Sequence, residues 1–142
     1  MSEAFLESYG GQSTDELIAL AGKYRIDSLV LAFEQAIQRK TAALSKEESC
    51  VLAVEALERE VNNGGYSQFF GNSSGEYAGI VVDALQAIGC PKTAAMTADA
   101  IAGRDDEKKL AACDDRYYAN DEPIADRLFA WIGKNRAKIQ LP

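Results

Sequence analysis

Apolar positions recur at helical spacing along the whole chain, and no stretch alternates strictly between apolar and polar for the length of a strand, so the pattern predicts an all-α fold. Ser13 or Thr14 is placed to cap a short helix containing Leu17, Ile18 and Ala21. Asp27 is placed to cap a second, whose Val30, Phe33 and Ile37 form a spaced apolar face. Ser45-Lys46-Glu47-Glu48 reads as a capping box, in which the Ser45 hydroxyl accepts from the amide of Glu48 while the Glu48 carboxylate accepts from the amide of Ser45. In the helix that follows, Cys50, Val54, Leu57 and Val61 share one stripe. Glu48, Glu55 and Arg59 fall opposite, with Glu55 and Arg59 spaced for an ion pair. Asn62-Asn63-Gly64-Gly65 ends this helix, since glycine accepts the left-handed backbone that closes one.

Beyond the glycines, a helix starting after Ser73-Ser74 runs through Tyr77, Ile80, Val81, Ala84, Leu85 and Ile88 to Gly89. Pro91 suits the opening turn of another, with Ala94, Ala98 and Ile101 aligned before Gly103. Acids between Arg104 and Glu107 mark a further start, and Leu110 with Ala111 supplies a modest apolar face before Asp114-Asp115. The last helix opens at Asp121-Glu122-Pro123 and turns Ile124, Leu128, Trp131 and Ile132 inward, with Lys134, Arg136 and Lys138 at its favourable carboxyl end. The expectation is a single-domain bundle of about six to seven helices over residues 1–142, without repeat, low-complexity tract or linker.

Composition narrows the chemistry. With 142 residues, 47% hydrophobic and 26% charged, the chain can bury roughly two thirds of its unfolded surface and needs no disulfide or metal to fold. Met1-Ser2-Glu3-Ala4-Phe5-Leu6-Glu7 carries acids and no apolar run, and no later stretch is long enough to span a bilayer, so a cytoplasmic location without membrane contact is expected. Cys50, Cys90 and Cys113 are odd in number, dispersed and outside any CxxC pattern, which predicts reduced thiols and no zinc site. The absence of histidine removes the usual neutral-pH base and the commonest metal ligand, so an enzyme is disfavoured and no cofactor is implied. A net charge of -7, from 22 acids and 15 bases, repels nucleic acid and membrane surfaces and favours a basic partner or simple solubility.

Leu44-Ser45, then Glu60-Val61-Asn62-Asn63-Gly64-Gly65-Tyr66-Ser67-Gln68-Phe69-Phe70 and Asn72-Ser73-Ser74-Gly75, resemble the signature of a bacterial family known as DNA-mimic-protein C-terminal-domain-like. The resemblance continues through Ala84-Leu85, Ile88-Gly89, Asp114, Tyr117-Tyr118, Glu122, Trp131-Ile132 and Asn135, covering roughly residues 26–138. It implies an all-α fold. For the member that gave the family its name, it implies regulation by imitating the charge of DNA toward a DNA-binding protein.

Two functional readings follow. The first is a non-enzymatic acidic protein that binds a basic protein surface, with a DNA-binding protein as the DNA-mimic partner and no direct contact with nucleic acid. Its contact residues would be Glu47, Glu48, Glu55 and Glu58 on one helix, with Asp105, Asp106, Glu107, Asp114 and Asp115 as a second group. The second is a small-ligand or peptide pocket at Asn63, Gly65, Gln68, Phe69 and Asn72; the same motif also reads as a folding hinge that fixes two helices. Asn135, an amide on an apolar stripe, is expected to bond backbone, and Cys90 before Pro91 to be a small buried thiol. Tyr117 and Tyr118 fit partly buried packing, and the acid groups lack the alternating ligand pattern of a calcium loop. The sequence sets no oligomeric state.

Overall fold

A computed structural model describes residues 3–141; Met1 and Ser2, from the amino-terminal segment considered above, lie outside the described residues. Seven α-helices and two 3-10 turns make up the described secondary structure, with two isolated bridge pairings and no strand, so the fold is all-α as expected. The chain divides into two compact units. One holds residues 1–52 together with 124–142, and the other holds residues 53–123.

In the first unit, α1 (Thr14–Ala19) is closed at its start by a capping box: the Ser13 hydroxyl accepts from the Glu16 amide at 3.1 Å and the Glu16 carboxylate accepts from the Ser13 amide at 2.9 Å. Helix α2 (Ile26–Gln38) is not capped by Asp27. Arg25 occupies the cap position, and Asp27 sits in the first turn, held by the Arg25 guanidinium at 2.6 and 3.1 Å, where its charge still suits the helix dipole. Leu17, Leu29, Phe33, Ile37, Leu128 and Ile132 are fully buried here, as α2 packs against α7 (Ile124–Lys134). Each such side chain stabilises the unit by roughly 1.5–3 kcal/mol. Trp131, expected to face inward, is half-buried, and the Asn135 amide group donates to the Trp131 carbonyl at 2.8 Å.

Helix α3 (Lys46–Gly71) begins in this unit, with the Ser45 box formed as expected at 2.8 and 3.0 Å. Glu48, read from its helical position as exposed, is instead only 1% accessible. Its carboxylate accepts from Lys40 Nζ at 2.5 Å and from the Gln140 amide at 3.0 Å, so partners brought from elsewhere in the chain enclose a side chain that its own helix would leave in water.

The second unit takes up α3 and breaks it where the glycines stand. Gly64 (φ -154°, ψ 20°) and Gly65 (φ 79°, ψ -178°) leave helical geometry, and Gly65 occupies a region that only glycine enters cheaply. The segment expected to start a helix after Ser73-Ser74 instead winds as a 3-10 turn over Ser73–Gly79, and α4 (Val81–Ala87) follows. Gly75 lies so close to the preceding carbonyls that a Cβ there would stand 2.6 Å from the Phe70 oxygen.

Helix α5 (Pro91–Ala102) buries Thr93, Ala94, Met96, Thr97 and Ala100 rather than the expected line of Ala94, Ala98 and Ile101. The threonines turn inward because their hydroxyls find partners: Thr97 with the Tyr66 hydroxyl at 2.7 Å, and Thr93 with the Glu122 carboxylate at 2.6 Å. Helix α6 (Glu107–Tyr118) runs through Asp114-Asp115 and buries Leu110, Cys113 and Tyr117, leaving Ala111 exposed. All three cysteines are buried.

Candidate functional site

The break in α3 is built around an acid from another helix. Asp114 on α6 accepts from the Tyr66 amide at 2.7 Å, so it caps the part of α3 that resumes after the glycines. A Cβ on Gly65 would stand 2.5 Å from Asp114 Oδ2, which makes glycine the residue that admits this carboxylate. The Tyr66 ring is fully buried and meets Tyr117 edge-on at 5.8 Å between centroids. Tyr117 in turn donates its hydroxyl to Glu58, and Tyr118 donates to the Val61 carbonyl at 2.8 Å. Burial pushes the Glu58 carboxyl above the usual carboxylate range, against the opposing pull of the Tyr117 and Asn62 hydrogen bonds.

The polar side chains of the motif converge on a residue that helical periodicity does not single out. Glu60 accepts from Gln68 Nε2 at 2.7 Å and from Asn72 Nδ2 at 3.1 and 3.2 Å, and these bonds hold its carboxyl below the usual range. Gln68 also lies over Gly64, where an added Cβ would collide with its Oε1. Of the five residues expected to form a pocket, Gln68 and Asn72 therefore brace Glu60, Gly65 faces Asp114, Phe69 is fully buried, and Asn63 is exposed. The spacings of 8 and 12 residues from Glu60 carry no local signature, which is why the sequence pattern leaves it hidden.

The acids expected to contact a partner separate in the same way. Glu48 is buried, as described above, and Glu47 is half-buried with Lys138 Nζ at 3.9 Å; both belong to the first unit. Glu55, Glu58 and Asp114 are half-buried, the last two serving Tyr117 and Tyr66. Asp106 is exposed and caps α6 through the amides of Lys108 and Lys109. Asp105, Glu107 and Asp115 are exposed, and Glu76 and Asp83 join them on the same unit. Those last two were open to discovery as polar positions of the 73–88 segment. Glu122 was not, because its role, accepting from the Lys92 and Thr93 amides at 3.0 and 2.7 Å to cap α5, depends on a contact across 29 residues or more.

The two units differ more sharply still in charge. Residues 53–123 hold thirteen acids and six bases, whereas the first unit holds nine of each, so the whole net charge of -7 falls on the second. Among the described residues, no group of three or more His, Cys, Asp or Glu side chains is arranged to hold a metal ion, and no helix is long and apolar enough to cross a membrane.

Residues 42–135 match the family model described as DMP19-like protein, a span that takes in all of the acidic unit. No curated protein and no solved structure matches the chain.

Proposed function

Because the chain belongs to the DMP19-like protein family, we propose that it is a non-enzymatic DNA mimic that presents its acidic unit to the nucleic-acid-binding surface of a DNA-binding protein. The observation that carries this reading is the concentration of the entire net charge in residues 53–123. A surface that replaces DNA must offer a basic partner uncompensated negative charge, and a balanced arrangement of acids and bases does not. Asp105, Glu107 and Asp115 with Glu76 and Asp83 are the exposed acids available for this role. The acids that cap helices or receive hydroxyls add to the field of the same unit. The motif at Gly64-Gly65 is, in this reading, the joint that shapes the acidic unit rather than a ligand pocket.

The test is competition. The chain is immobilised, cell lysate is passed over it at low salt, and bound proteins are challenged with duplex DNA. Mimicry predicts that a captured DNA-binding protein is released by the duplex and by raised salt, and that the triple variant Asp105→Lys, Glu107→Lys, Asp115→Lys no longer retains it. Capture indifferent to both duplex and salt refutes the reading.

A further inference from the structure

Between α5 and α6 runs a groove formed by two cavities of about 360 and 540 Å³ that share Arg116 as a wall. On each helix the lining follows a heptad rhythm in the same phase. Alanines stand seven residues apart, Ala95 and Ala102 on α5, Ala112 on α6 and Ala119 at its carboxyl cap, and all four are exposed. Behind them lie Met96, Gly103 and Cys113, which are buried and form an apolar floor.

The charge of this groove is opposite to that of the unit that contains it. Three of the six bases in residues 53–123, Lys92, Lys109 and Arg116, line it, against two acids, Asp99 and Asp121. Arg116 donates through Nη1 to Asp99 at 2.7 Å and Lys92 pairs with Asp121 at 3.2 Å, which leaves Lys109 without a carboxylate partner among the described residues. Its stem lies across Gly103, whose missing Cβ would otherwise stand 3.0 Å from Lys109 Cβ and Cδ, so a glycine settles this lysine against the groove.

We propose that the groove between α5 and α6 seats an amphipathic helix of a partner protein, with large apolar side chains over the alanines and acidic side chains beside Lys109 and Arg116. Heptad-spaced seams on two neighbouring helices are the surface that a third helix packs into, and small residues on one side suit large residues on the other. The cations select an acidic helix over a basic one. This site is independent of DNA mimicry: it lies on the same unit but takes a partner of the opposite charge.

The probe is a fluorescent three-heptad alanine-based peptide with one Leu per heptad on a single stripe and Glu on both flanks, compared with its Lys-flanked counterpart. The expected results are saturable binding of the Glu peptide by anisotropy, amide shifts in the full chain concentrated on α5 and α6, and binding of the Lys peptide about tenfold weaker or worse. Ala112→Leu, which fills the groove from an exposed position, should weaken the Glu peptide about tenfold with unchanged melting, and Lys109→Glu should abolish the preference for Glu over Lys. Absence of saturable binding, equal binding of the two peptides, shifts centred elsewhere, or indifference to both substitutions overturns the proposal. So does self-association of the chain that Ala112→Leu abolishes, because the groove would then be occupied by a second copy.

Discussion

The two units satisfy several of their carboxylates in different ways. In residues 1–52 and 124–142, acids meet bases: Glu48 with Lys40, Asp27 with Arg25, Asp15 with Arg136 and Glu47 with Lys138. In residues 53–123, five acids are satisfied by donors that carry no charge. Glu58 takes a tyrosine hydroxyl, Glu60 two side-chain amides, and Asp106, Asp114 and Glu122 the backbone amides of helix starts. A neutral donor meets the hydrogen-bonding need of a carboxylate without cancelling its charge. Holding an acid in place and neutralising it are separate acts: Glu48 receives both, and the second unit neutralises Asp99 with Arg116 and Asp121 with Lys92 while it holds these five by neutral donors.

The strongest way to break this contrast is to remove the base on which a buried acid depends. Lys40→Met leaves Glu48 enclosed without its counter-charge and should cost about 3 kcal/mol in chemical denaturation. A loss below about 1 kcal/mol would mean that the amides of Ser45 and Gln140 suffice, and that the first unit relies on neutral donors as the second does.

Next in size is the joint in α3. Gly65→Ala meets both a backbone conformation reserved for glycine and the Asp114 carboxylate, so it should destabilise the protein by about 2 kcal/mol or more. Gly64→Ala collides with the Gln68 side chain and gives up that residue's bond to Glu60, so about 1 kcal/mol is expected. Equal melting losses for the two variants would show that Asp114 contributes nothing to the joint.

Titration separates Glu48 from Glu58, which respond with opposite sign. Burial works to raise the Glu48 carboxyl, but Lys40 and the amides of Ser45 and Gln140 outweigh it and hold it low. Its contribution to stability is complete above its unfolded pKa and is lost as pH falls through the folded value. Glu58 is the reverse: with its folded pKa raised by burial, its contribution is present below the unfolded value and is lost as pH rises through the raised one. Carboxyl-carbon NMR should therefore place the Glu58 midpoint above that of an ordinary glutamate and those of Glu48 and Glu60 below it. Hydrogen-exchange protection at the Gln140 amide should fall as Glu48 protonates.

The smallest effect on stability belongs to the exposed acids. Asp105→Asn, Glu107→Gln and Asp115→Asn together lower the net negative charge by three while changing stability by no more than about 0.5 kcal/mol at each site. Thermal denaturation checks the second half of that statement and native electrophoresis the first.

What could be read from the sequence was local. The Ser45 box spans three residues, the glycine break falls where two adjacent glycines interrupt an apolar stripe, and the Asn135 bond reaches one turn back, so each lies within the range of periodicity and capping rules. The inward turn of Thr93 and Thr97 was hidden because their partners lie 29 and 31 residues away, and the burial of Glu48 because Lys40 and Gln140 belong to other segments. The charge asymmetry was present in the composition all along. It became visible only once the boundaries of the units said where to divide the count.

The two starts within α3 also differ in when a growing chain can complete them. Ser45 and Glu48 leave the ribosome almost together, so the first start can form as soon as it is made. The second waits for Asp114, 48 residues after Tyr66, a delay of several seconds at roughly 5–20 residues per second. During that interval Tyr66 and Phe69, destined for the core, have no completed unit to enter, and a nascent chain halted before α6 emerges should be a better chaperone substrate than one halted just after it.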